Sequence, residues 1–154
     1  MAAYYSTNYT KQYVNVPAEK IPVGEQYGVM RVAYDDYTFT AVDSVLNDTI
    51  TFMKIPKGAR ILDVHVINTA MGGGTLDIGW TASDDGSIAA DQDGFFDGYD
   101  PTNAGEVNLS DGILAGRLKK FDAEGCFLQV KVMHNDVATD TADSLKFMVM
   151  YVVD

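Results

Sequence analysis

An all-β fold, an antiparallel β-sandwich of jelly-roll type with an extended N-terminal arm, is what this 154-residue sequence predicts. Three observations predict it. Between Asp48 and Thr81 three strand-like segments follow one another: residues 49–55, 60–67 and 75–81. In the second, Leu62, Val64 and Val66 alternate with Asp63 and His65; in the third, Leu76, Ile78 and Trp80 alternate with Asp77, Gly79 and Thr81. Side chains of a strand point to opposite faces with a period of two, so each segment has an apolar face for a core and a polar face for water. The second observation is that the whole chain reads as about eight such segments separated by Gly-, Asp- and Pro-rich turns. The third is that helical periodicity is nearly absent, and that no internal repeat suggests a propeller or a solenoid.

Taken in order, residues 1–27 carry Tyr4, Tyr5, Tyr9, Tyr13 and Tyr27 among Ser, Thr, Asn and Gln, with Pro17 and Pro22. No period is sustained there, and the segment reads as an extended arm ahead of a single β-sandwich domain at 28–154. Tyrosine offers a large apolar ring with a polar tip, which suits interfaces. Tyr4, Tyr5, Tyr9 and Tyr13 are therefore the candidate partner contacts, set against packing of the arm on its own domain. Residues 28–42 read as two short strands broken by a turn at Asp35-Asp36, since Asp favours turns and disfavours strands. Pro56-Lys-Gly-Ala59 and the glycines 72–74 separate the three central strands, and the tri-glycine is expected to supply positive φ in a hairpin.

Residues 82–112 form the largest interruption, and seven of the 22 acidic residues lie between Asp84 and Glu106. Ser87 is placed to cap a short helix over residues 88–96 that would close Phe95 and Phe96 onto the sandwich. Residues 112–120 read as a short strand or turn, and 127–134 as an alternating strand. Residues 145–153 are apolar on both faces, as in a strand central to a sheet or covered by a partner subunit.

A chain of this length buries enough surface for a core without disulfide or metal. Cys126 is the only cysteine, so no intrachain disulfide can form, and its place beside Phe127 marks a buried hydrophobe. Eleven Lys and Arg against 22 Asp and Glu give a net charge of −11. Such a surface repels polyphosphate and anionic lipid, which predicts no direct nucleic-acid binding and no membrane association. No apolar run is long enough to span a bilayer, and no basic segment followed by an apolar run opens the sequence as a secretory signal would.

Candidate chemistry is sparse. Asp84, Asp85, Asp91, Asp93, Asp97 and Asp100 offer the hard oxygen ligands that calcium takes, with Asp91, Asp93 and Asp97 the candidate metal ligands. The EF-hand spacing is not met, and an exposed acidic loop is the competing reading. His65 and His134 lie on separate strands without zinc-ligand spacing. No Gly-x-Ser-x-Gly elbow is present, and the tri-glycine lacks the spacing and lysine of a phosphate loop. Trp80 falls in phase with Leu76 and Ile78, on the core face and not on a sugar-stacking platform. The sequence predicts a protein that is not an enzyme and needs no cofactor, calcium excepted.

Residues 48–64, including Lys54-Ile-Pro-Lys-Gly58, followed by Gly73-Gly-Thr-Leu-Asp-Ile-Gly79 and the segment Asp91-Gln-Asp-Gly-Phe-Phe96, resemble small structural proteins of tailed bacteriophages. The resemblance covers most of residues 28–154. It implies a virion protein, specifically a capsid decoration or cement protein. Such a protein would be made in the host cytoplasm, form a trimer on the outer capsid surface and contact the major capsid protein. The alternative is a carbohydrate- or receptor-binding β-sandwich, as in a head fibre or tail component.

Overall fold

The computed structural model describes residues 11, 14–15, 17–20, 28–39, 46–134 and 143–153. Nine strands are found among them: β1 (Arg31–Thr38), β2 (Thr49–Lys54), β3 (Ala59–Asn68), β4 (Thr75–Trp80), β5 (Asp91–Tyr99), β6 (Gly105–Asn108), β7 (Lys120–Phe121), β8 (Phe127–His134) and β9 (Ser144–Val153). They form two sheets. The first has the order β1-β9-β3-β6, with the short β7 also on β3, and the second has the order β2-β8-β4-β5. All pairings are antiparallel. β1 pairs β9, β2 pairs β8, β3 pairs β6 and β4 pairs β5, so the chain doubles back on itself and rolls into two layers. That nesting is the jelly-roll arrangement.

The alternation read from the sequence builds much of the core, but in β3 a register shift between Ile61 and Asp63 puts Ile61 inside with Val64 and Val66 where Leu62 was expected. Leu76, Ile78 and Trp80 of β4 face Phe95 and Phe96 of β5 and Leu128, Val130 and Val132 of β8, all buried. From the other sheet come Ile61, Val64 and Val66 of β3 and Leu145, Phe147 and Val149 of β9. Phe52 and Phe147 meet edge-on across the layers at 4.6 Å. Trp80 is boxed by Phe95 at 5.0 Å and Phe121 at 5.4 Å, and its indole N–H donates to the Ala89 carbonyl at 3.1 Å. Each such ring pair adds about 0.5–1.5 kcal/mol beyond the area it buries. Cys126 is fully buried, as its position beside Phe127 predicted.

Several expectations are corrected. Asp35-Asp36 is no turn: β1 runs straight through, with Asp35 opposite Phe147 and Asp36 opposite Lys146. An edge strand tolerates charge because one side of its backbone faces solvent. The glycines 72–74 join no hairpin, because β3 and β4 belong to different sheets. None of the three has positive φ; Gly58 has it instead, at 80°. Gly58 is the third residue of a turn closed by the Ala59 N–H on the Pro56 carbonyl at 3.0 Å, where only a positive φ fits.

The expected helix at 88–96 is absent, and Ser87 caps nothing helical. Residues 91–99 are instead strand β5, with register shifts against β4 that bring both Phe95 and Phe96 into the core. Gly94 and Gly98 weaken a helix there, and two adjacent phenylalanines can both be buried only where a bulge breaks the alternation. Residues 112–120 hold a single 3-10 turn, Leu114–Gly116, before β7. In the arm, Lys11 and Val14 have helical backbone, and Asn15 Nδ2 donates to Glu19 Oε1 at 2.6 Å.

Candidate interaction surface

The acidic segment is built to hold turns. Asp85 accepts hydrogen bonds from Ser87 Oγ at 2.7 Å, the Ser87 N–H at 2.9 Å and Ser83 Oγ at 2.7 Å. Those donors, Ser87 first, hold its carboxyl down at a pKa of about 2. Asp100 accepts from the hydroxyl and N–H of Thr102 and is likewise held below the usual carboxylate range. Asp77, buried under β5, accepts from the Gly98 N–H at 2.9 Å.

The candidate metal ligands are only partly brought together. Asp91 is pushed up by burial and then by a hydrogen bond to Asp93, so these two carboxyls adjoin on β5. Asp97 lies exposed beyond Phe95 and Phe96 in the same strand. Among the described residues no group of three or more His, Cys, Asp or Glu side chains is placed to hold a metal ion. Tyr4, Tyr5, Tyr9 and Tyr13 lie outside the described residues.

The sequence did not reveal a charged cluster on the outer face of β3. His65 Nδ1 lies 2.8 Å from Glu106 Oε1, and Nε2 lies 3.1 Å from Asp63 Oδ2. Two ring nitrogens facing two carboxylates can both donate only in the imidazolium form. The Glu106 hydrogen bond raises the His65 pKa despite some burial, with Asp63 adding to it. The other oxygen of Asp63 accepts from the Val64 N–H at 2.9 Å and the Leu109 N–H at 3.0 Å, which ties the end of β6 to β3. The Asp63–His65 spacing was visible in the strand, but Glu106 is 41 residues away and enters only through the β3–β6 pairing.

The same outer face carries exposed apolar groups. Val32 and Tyr34 of β1 stand opposite Met150 and Met148 of β9, with Ile67 further along β3. An open cleft of about 330 Å³ lies between β5 and the chain after β6, walled by Phe96, Tyr99, Val107 and Ile113 together with Asp97 and Asp111. Its mixed walls bring no nucleophile and base together.

Strand order and layer packing define the chain as a jelly-roll β-sandwich, and two solved structures share this fold. One is a chain of the capsid asymmetric unit of cyanophage Pam1, with a TM-score of 0.64 and 19% identity, covering 91% of this chain and 96% of that one. The other is a chain of the capsid of Ralstonia phage GP4, with a TM-score of 0.64 and 17% identity, covering 94% of each. No protein-family model matches the sequence, and no curated protein matches it.

Proposed function

We propose that this chain is a structural, non-enzymatic virion protein of a tailed bacteriophage. In this reading it binds the outside of the capsid as a trimer, contacts the major capsid protein and stabilises the shell. The observation that carries the reading is the end-to-end likeness to chains of two phage capsids, over more than nine-tenths of each partner. The surface supports it: a net charge of −11 suits a position facing solvent better than one facing packed DNA. Tyr4, Tyr5, Tyr9 and Tyr13 of the arm are the proposed contacts to the shell.

The test uses particles of the phage that encodes this chain, produced with its gene deleted. Purified full-length chain should cosediment with them, appear as density on the outer shell by cryo-electron microscopy, and raise the temperature at which they release DNA. Replacing the four tyrosines with Ser should weaken that binding. Density on a tail or fibre, or none at all, refutes the location.

A further inference from the structure

The edges of the two sheets differ in how well they are closed to other chains. β6 is four residues long, β2 carries a register shift against β8, and β5 carries two against β4. Shortness and bulges are how natural sheets keep an edge from pairing. β1 has neither. Its eight residues pair β9 without a break, and among the described residues no strand pairs its other side.

The register fixes which backbone groups that side offers. The Phe39 N–H donates to the Asp143 carbonyl at 2.8 Å, continuing the β1–β9 ladder, so the odd-numbered residues of β1 bond to β9. The N–H and carbonyl groups of Met30, Val32, Tyr34 and Asp36 therefore point away from the sheet. The Asp36 N–H is met there by the carboxylate of Asp35 at 3.0 Å. Met30, Val32 and Tyr34 are 58%, 55% and 61% exposed. Arg31, Ala33 and Asp35 alternate with them and point to the core side, yet Arg31 is exposed and the other two are only half-buried. This part of β1 overhangs the second sheet and leaves its edge accessible.

We propose that β1 pairs antiparallel with β1 of a second copy about a two-fold axis at Ala33, joining two first sheets into one. A ladder forms only where outward-pointing residues meet one another. Of the registers that satisfy this, the one centred on Ala33 sets Arg31 opposite Asp35 twice and Val32 opposite Tyr34 twice. Centring on Asp35 sets that carboxylate on its own copy, centring on Tyr34 sets Asp36 on Val32, and centring on Val32 sets Asp35 on Val29. The segment Arg31-Val-Ala-Tyr-Asp35 is thus its own complement in a single register. Among the described residues neither Arg31 nor Asp35 has an ion-pair partner within its own chain. On pairing, the Asp36 N–H passes to the Met30 carbonyl of the second copy, which releases the Asp35 carboxylate to Arg31. Copies that each carry −11 repel, and unlike charges set against each other on both sides of the axis offset that repulsion locally. The contact is isologous, so it closes at two copies. It is separate from the trimer and from the shell binding proposed above.

The test is disulfide trapping in the full chain, with far-UV circular dichroism confirming that each variant folds. Wild type is the control, because its one cysteine, Cys126, is buried. At the axis the two Ala33 residues form a non-hydrogen-bonded pair with Cα atoms about 4.5 Å apart, within disulfide reach. Mild oxidation of dilute Ala33→Cys protein should therefore give a species of twice the 16.8 kDa chain mass on a non-reducing gel. Val32→Cys and Tyr34→Cys should each stay single-chain and crosslink when mixed, because the register sets Val32 opposite Tyr34 and not opposite itself. Adding Asp35→Arg to Ala33→Cys should slow crosslinking about tenfold, the size expected from losing two exposed ion pairs. Adding Arg31→Asp as well should restore the rate. Ala33→Cys protein that stays single-chain, equal crosslinking at all three positions, or a charge swap that fails to restore the rate each overturn the proposal. None of these readouts depends on trimer formation or on shells, so the proposed function stands or falls separately.

Discussion

Substituting Gly94 by Ala should be among the most damaging single-methyl changes in this protein. A Cβ there would lie 2.3 Å from Trp80 Cζ3 and 2.4 Å from Cη2, far inside van der Waals contact. The indole cannot give way cheaply. It is 2% exposed, wedged between Phe95 and Phe121, and tethered to the Ala89 carbonyl. Overpacking of this kind costs about 1–3 kcal/mol. Pulling the indole off its hydrogen bond adds about 1 kcal/mol. A total of about 2–4 kcal/mol lowers the melting temperature of a domain this size by roughly 10 °C. Trp80 is the only tryptophan, so its fluorescence and near-UV circular dichroism report the displacement directly. Trp80→Phe makes room, so the double variant should be less destabilised than the sum of the single changes. A Gly94→Ala protein that melts within about 2 °C of wild type with an unchanged tryptophan signal would refute the packing argument.

Three further outcomes are expected. The pKa of His65 is raised in the fold by Glu106 and Asp63, while its other cross-strand neighbours, Asn108 and Met148, are uncharged. Its stabilisation is therefore complete below the unfolded value of 6.5 and lost as pH rises through the folded pKa. The melting-temperature gap between wild type and His65→Gln, followed by calorimetry, should be widest on the acid side of neutrality and close toward alkaline pH; a pH-independent gap contradicts the imidazolium assignment. The Cys126 thiol, buried and with its pKa raised by that burial, should ignore a water-soluble disulfide reagent in the native protein and react fully once unfolded. Excess chelator should leave the melting temperature unchanged, because Asp97 does not join Asp91 and Asp93 in a three-ligand group; a clear fall would restore calcium to that segment.

What was legible in the sequence was whatever a local period could encode. β3, β4, β8 and β9 announced themselves through alternation, and the two-faced apolar pattern of residues 145–153 marked a strand that does lie inside a sheet, between β1 and β3. Trp80 and Cys126 were placed in the core by phase and neighbours alone. Where local preference and tertiary pairing disagreed, pairing prevailed. Asp35 and Asp36 continue a strand because β9 supplies a full row of backbone partners. Residues 91–99 extend as β5 because β4 offers an edge and the core takes up Phe95 and Phe96.

The candidate surface was legible only in fragments for the same reason. Asp63 and His65 were visible as alternate residues, but Glu106 reaches His65 only because β6 folds onto β3. Leu114 and Leu118 stood in a segment read only as a short strand or turn, and the fold leaves both side chains exposed. Composition and period by themselves determined an acidic all-β chain with a single buried cysteine, since charge and side-chain alternation are properties of neighbours in sequence. The sheet assignment of each strand, the bulge that buries both phenylalanines, and the meeting of Glu106 with His65 were decided by tertiary structure, because they depend on contacts between residues far apart in the chain.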